Sequence, residues 1–176
     1  MSFVGEPFKY DVFFSYSWGA KAVDSAFENQ NLIRDWVKDL VNPLAQQLRL
    51  SCKTTAGAGE FKFYFDHRSE RNSGSDIDEE LREAVQSSAF VVVLMSPHYC
   101  ESRWCNKEVN WFDEALRSDG RPKEHFIIRQ ISQTDHDPSN CPWPAPLLGK
   151  TGEPRKSGMP FYDPVKIGRA SCRERV

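Results

Sequence analysis

The chain has 176 residues, 39% of them hydrophobic and 27% charged, which suits one soluble globular domain with a core of ordinary size. A formal charge of −2 leaves no basic footprint for direct binding of nucleic acid. The longest apolar run, Ala89 to Met95, is far too short to cross a membrane. Five cysteines without a CxxC pair, a metal-ligand spacing that fits no standard zinc site and an N-terminus without a secretory pattern point to free thiols, no bound metal and a cytoplasmic setting.

Tyr10 to Tyr16 is an aromatic and β-branched run ending in Ser-Tyr-Ser-Trp-Gly, which predicts a strand entering a loop. Leu32, Ile33, Trp36, Val37, Leu40, Leu44 and Leu48 then recur at helical spacing, with Pro43 placed to kink or divide that helix. Phe61, Phe63 and Phe65 alternate with Lys62 and Tyr64, the period of a strand with one wetter face, as at a sheet edge. A polar loop follows. Ser75 to Asp78 and Asp76 to Glu79 both have capping-box spacing before a second helix carrying Ile77, Leu81, Ala84 and Val85.

The unalternating run Ala89 to Met95 predicts a central parallel strand covered on both faces, stopped by Ser96-Pro97. Ser102 is a good N-cap for a third helix reaching about Leu116. On it, Cys105, Val109, Phe112 and Leu116 form a core stripe. Trp104, Glu108, Trp111 and Ala115 form the neighbouring stripe, expected at the margin of the core, where a cleft could lie. Phe126 to Ile131 predicts a fourth strand. The proline-rich stretch 133 to 160 predicts loop with one short helix, and Phe161-Tyr162 a last edge strand. Alternating strands and helices predict an α/β domain, a five-stranded parallel sheet with helices on both faces.

Such sheets bind ligands at the carboxyl ends of their strands. The segments converging there offer aromatics (Tyr16, Trp18, Trp104), hydroxyls, the cations Arg68 and Arg71, and the carboxylate Glu108, a set suited to a nucleotide. The single glycine after the first strand and the lack of a P-loop or a nucleophile elbow argue against hydride transfer, P-loop phosphoryl transfer and serine hydrolysis. On residues alone, Trp104 divides between packing and ligand contact, and Arg68 and Arg71 between a solvated loop and a ligand or partner. Asp11 in the first strand reads as a group satisfying buried backbone.

YDVFFSYS, the loop ending Ser-Gly-Ser-Asp-Ile, the run FVVVLMSPHYCESRWCNKEV and the strand FIIRQI together resemble a Toll/interleukin-1 receptor (TIR) domain, most nearly the bacterial NAD-consuming members, over residues 8 to 165. The resemblance implies a flavodoxin-like fold with strand order 2-1-3-4-5. It also implies that Glu108 is the glutamate required for cleaving NAD, a substrate rather than a cofactor, in an immune or antiphage defence effector that acts by self-assembly. Trp104 would complete the Trp-(x)3-Glu pattern, and Ser17 and Trp18, with Tyr16, would contact the nucleotide. Where some members carry arginines after the first strand this chain has Ser17-Trp18, so phosphate contacts would fall to Arg68 or Arg71, with Asp66 nearby. The segment 66 to 77, including Ser69, Asn72, Gly74, Ser75, Asp76 and Ile77, would correspond to the BB loop used in TIR–TIR assembly.

Two other readings compete: a non-catalytic signalling adaptor acting through TIR–TIR contacts, and a nucleoside deoxyribosyltransferase-like enzyme. A carboxylate at 108 favours cleavage over the adaptor, and the lack of further acids at the strand ends disfavours the transferase. Residues 167 to 176 lack periodicity and resemble a translated sequencing adapter. The domain is therefore taken as 1 to 166, with a sensor domain expected in natural sequence beyond it.

Overall fold

The computed structural model describes residues 2–17, 35, 37–44, 46–47, 50, 60–65, 75–130, 143–153 and 155, with backbone alone at 75–77, 97 and 130. Four parallel strands form the sheet: β1 (Tyr10–Tyr16), β2 (Phe63–Phe65), β3 (Ser88–Met95) and β4 (Phe126–Gln130). Their order is β2-β1-β3-β4, as expected up to the fifth strand, which falls outside the described residues. Helical residues 37–44 (α1) cover one face of the sheet. Helices α2 (Ser75–Gln86) and α4 (Arg103–Ser118) cover the other, with the short helix α3 (Pro97–Glu101) joining β3 to α4.

Alternation in the strands sorts the core into two layers. Phe13, Val91, Val93, Phe126 and Ile128 face α2 and α4, where they meet Leu81, Val85, Val109, Phe112 and Leu116. Phe112 meets Phe126 edge-on at 4.9 Å, the favourable arrangement for two ring quadrupoles. Val12, Phe14, Tyr16 and Leu94 face α1, against Val37 and Val41. A cavity of about 410 Å³ lies on this second face, lined by residues such as Phe14, Leu40, Leu44, Phe90 and Val92, with Asp11 and Arg129 at its wall.

Strand β2 is the edge predicted for it, yet its residues are evenly half-buried. Phe63 and Phe65 pack toward α1, while Tyr64 stacks on Phe13 at 5.4 Å on the opposite face. The wetter face expected from Lys62 and Tyr64 is thus occupied by a tyrosine ring. Helix α1 runs through Pro43 to residue 44, so the predicted division at Pro43 is not seen within these residues. The Ser96-Pro97 pair, read as a stop for β3, also starts a helix: Ser96 Oγ accepts from the Tyr99 N–H at 3.2 Å and Pro97 sits in the first turn. A short 3-10 helix, Ala145–Leu147, is the helix expected in the proline-rich stretch.

Asp11, fully buried at the start of β1, behaves as its sequence position suggested. Its carboxylate accepts the backbone N–H groups of Phe3 (3.0 Å), Val4 (2.7 Å) and Lys62 (2.7 Å), fastening the N-terminal segment and the approach to β2 onto the central strand.

Candidate functional site

Helices α3 and α4 share one residue as their junction. The Ser102 N–H donates to Tyr99 O at 3.2 Å, ending α3, while Ser102 Oγ accepts from Cys105 N at 3.3 Å, starting α4. Asn106 Nδ2 braces the corner, donating to Cys100 O at 3.1 Å and Ser102 O at 2.9 Å. This tight turn aims one side chain from each helix at the carboxyl end of β1. Tyr99 comes from α3 with no exposure, and Glu108 from the second turn of α4, 3% exposed.

Between them stands Ser15 of β1, also fully buried. Its hydroxyl donates to Glu108 Oε2 at 2.5 Å and lies 2.6 Å from the Tyr99 hydroxyl. A carboxylate taken out of water is costly unless it is hydrogen-bonded, and the β1 hydroxyl supplies such a bond. Glu108 is therefore deeper than its stripe on α4 implied. The stripe continues into the core at Ala115, while Trp104 and Trp111 stay half-buried against it. The residue of β1 that faces Glu108 is Ser15, a small hydroxyl instead of a bulky apolar side chain, and the carboxylate reaches it.

Burial raises the Tyr99 hydroxyl well above its ordinary value of 10.0, assisted by the charges of Cys105 and Glu108. The phenol is thus neutral throughout the working range. The unfolded chain would ionise this tyrosine near its ordinary value, whereas the folded one does not. Tyr99 consequently adds stability that is complete below pH 10 and is lost as the pH rises beyond it toward the folded value. Unfolding titrations above pH 10 are expected to show a steeper alkaline loss in wild type than in Tyr99→Phe; parallel curves would contradict this.

Trp104 lies one turn before Glu108, with Lys107 Nζ 4.4 Å from its ring centre. The same ammonium reaches Asp78 Oδ2 of α2 at 2.9 Å. Both partners are about 40% exposed (43% and 40%), so the pair is screened, and a double-mutant cycle of Lys107→Ala with Asp78→Asn should return a coupling below about 1 kcal/mol that shrinks with salt. A second buried carboxylate on α4, Asp113, is an ion-pair residue, paired with Arg117 and, at 3.1 Å, with Lys123.

Of the other expected site residues, Ser17 is buried just past the end of β1. Tyr16 is not brought to Glu108: strand alternation turns it to the α1 face, where it packs with Val12, Phe14 and Leu94 as part of the core. Trp18, Asp66, Arg68, Ser69, Arg71, Asn72 and Gly74 lie outside the described residues, while Ser75, Asp76 and Ile77 open α2. The 410 Å³ cavity is on the far side of the sheet from Glu108 and takes no part in this site. Sequence reasoning overlooked Tyr99 and the role of Ser15. The signal for the serine was present, since alternation places it beside Phe13 on a buried face, where a hydroxyl must find a partner.

Among the described residues no group of three or more His, Cys, Asp or Glu side chains could hold a metal ion, and no helix is long and apolar enough to cross a membrane. Cys100 and Cys105 are buried and outside any disulfide.

The family model of the TIR domain matches residues 12–147, a span running from β1 through Leu147. The chain belongs to the TIR domain family. Among solved structures, this TIR domain is similar to the TIR domains in the activated Roq1 resistosome directly recognizing the pathogen effector XopQ, at 25% identity, with 74% of this chain and 60% of that chain covered and a TM-score of 0.42. It is also similar to the TIR domain of the Toll-related receptor TRR-2 from Hydra magnipapillata, at 19% identity, 73% and 75% coverage and a TM-score of 0.38. The chain thus spans under two thirds of the length of the Roq1 chain it matches. No curated protein matches it.

Proposed function

We propose that this TIR domain cleaves the bond between nicotinamide and ribose in NAD, with Glu108 as the catalytic residue. The observation that carries the reading is the Glu108 carboxylate itself, buried and hydrogen-bonded to Ser15 at the carboxyl end of β1, the end at which parallel α/β sheets hold their ligands. The resemblance to NAD-consuming members of the family implies the same role for Glu108.

One carboxylate is enough for this reaction. Ordinary glycosidases need a second carboxyl to protonate a leaving oxygen. In NAD the nicotinamide leaves from a cationic pyridinium, so it departs neutral and needs no proton. What develops is an oxocarbenium-like ribose, and a fixed anion beside it stabilises that charge. Water then adds to the anomeric carbon, giving ADP-ribose and a proton; addition of a group from within the same molecule gives a cyclic isomer instead. Ser17, Trp18 and Trp104 are the proposed nucleotide contacts, with Arg68 or Arg71 for phosphate. The segment 66 to 77 is the proposed assembly loop, used in contacts between copies of the domain. Such an enzyme is a cytoplasmic immune or defence effector, switched on when a sensor gathers its copies.

The test is to cluster the domain artificially, add NAD and follow nicotinamide release, with Glu108→Ala in parallel. Turnover in wild type alone supports the proposal. Absence of turnover in the clustered wild type, or equal turnover in the variant, overturns it.

A further inference from the structure

The hydroxyl that holds Glu108 is itself held. Ser15 Oγ lies 2.5 Å from Glu108 Oε2 and 2.6 Å from the Tyr99 hydroxyl, and all three side chains are buried. A serine hydroxyl has one proton to give. An ionised carboxylate can only accept, so that proton goes to Glu108, and the neutral phenol of Tyr99 must then donate to Ser15. Donation runs in one direction, from α3 through β1 to α4.

Resting on the reading of NAD cleavage, we propose that Ser15 and Tyr99 are positioning residues for Glu108, a relay of two hydroxyls that fixes the direction of the carboxylate and favours its charged form. A glutamate has three rotatable bonds, and at this depth a short charge-assisted bond selects one arrangement among them. Tyr99 strengthens that bond without reaching Glu108, because a hydroxyl that accepts a hydrogen bond becomes a better donor. The tyrosine is itself fixed at both ends of α3, its N–H on Ser96 Oγ and its carbonyl on the Ser102 N–H. The titratable groups facing the relay are Tyr99 and Cys100 from α3 and Cys105 and Glu108 from α4. β1 contributes the Ser15 hydroxyl there, and the α2 carboxylate Asp78 is held by Lys107.

The relay predicts a pattern that packing alone does not. In the clustered whole chain, Tyr99→Phe keeps the ring and loses only the hydroxyl. Its kcat for NAD is expected to fall about tenfold with KM changed less than about twofold, the size of one lost hydrogen bond between neutral groups. The acid limb of its pH profile should move to higher pH, because the charged form has lost support. Ser15→Ala should fall further on both counts, and Ser15→Thr, which restores the hydroxyl in a β-branched side chain suited to a strand, should recover most of the activity. Thermal melts of the three variants identify any that do not fold. A carbon-13 titration of the Glu108 carboxyl without NAD gives a readout independent of turnover. An upward shift in Tyr99→Phe supports the relay even if clustered wild type releases no nicotinamide, an outcome that removes only the reading of NAD cleavage. Unchanged carboxyl titration in the folded Tyr99→Phe and Ser15→Ala variants, or a Ser15→Thr variant as impaired as Ser15→Ala, overturns it.

Discussion

Glu108→Ala is expected to lower nicotinamide release from the clustered domain by at least about 10²-fold while leaving the domain folded, the loss typical of removing one preorganised group that meets charge developing in a transition state. Retention of the fold follows from the local geometry. With the carboxylate gone, the Ser15 hydroxyl still has the Tyr99 hydroxyl 2.6 Å away, so neither is stranded in the core. The small side chain also removes the cost of keeping a charge at 3% exposure. Glu108→Gln separates the two roles of the residue. Its amide oxygen can still accept from Ser15, so position is largely kept and charge is lost. If charge is what the ribose cation needs, Gln should be almost as inactive as Ala; a Gln variant within about tenfold of wild type would show that orientation alone suffices and that the electrostatic account is wrong.

The largest effect on stability is expected at the other end of the same strand. Asp11→Ala removes the acceptor of three backbone N–H groups, those of Phe3, Val4 and Lys62, and should cost about 3–4 kcal/mol. Hydrogen bonds to a charged group are worth about 1.5–3 kcal/mol each and are not fully additive, and water can reach some of the part-buried donors left behind. In urea, the midpoint should fall with little change in slope. Hydrogen exchange gives the sharper check. The Phe3, Val4 and Lys62 amides should lose protection before the interior of β3 does, and equal loss everywhere would assign the effect to global instability instead.

The fold was legible wherever pattern and burial coincide. The unalternating Ala89–Met95 run is the central β3, and the heptad-like spacing of Cys105, Val109, Phe112 and Leu116 is the core face of α4. Glu108 stood out as a candidate from its motif, but its depth could not be read, because a helical wheel shows which residues are neighbours and not how far a facing strand recedes. Tyr16 misled for the opposite reason. Aromatic residues near a strand end suit both a ligand and a core, and only the direction of alternation, fixed once Phe13 and Ser15 face α4, decides between them. Helix α3 was hidden because a Ser-Pro pair ends a strand and begins a helix with equal ease.

Because β1 is first in the chain and interior in the sheet, both of its partner strands come later: β2 some fifty residues on, β3 further still. Ser15 and Glu108 are 93 residues apart. During synthesis, therefore, the first strand waits with both edges open while the ribosome makes the rest, and closing it depends on distant pairings that are slow to find. The proposed reacting carboxylate is among the last parts of the centre to arrive. On the proposed reading, an unfinished or truncated chain lacks the carboxylate that would meet the ribose cation, and activity waits until α4 has emerged and docked.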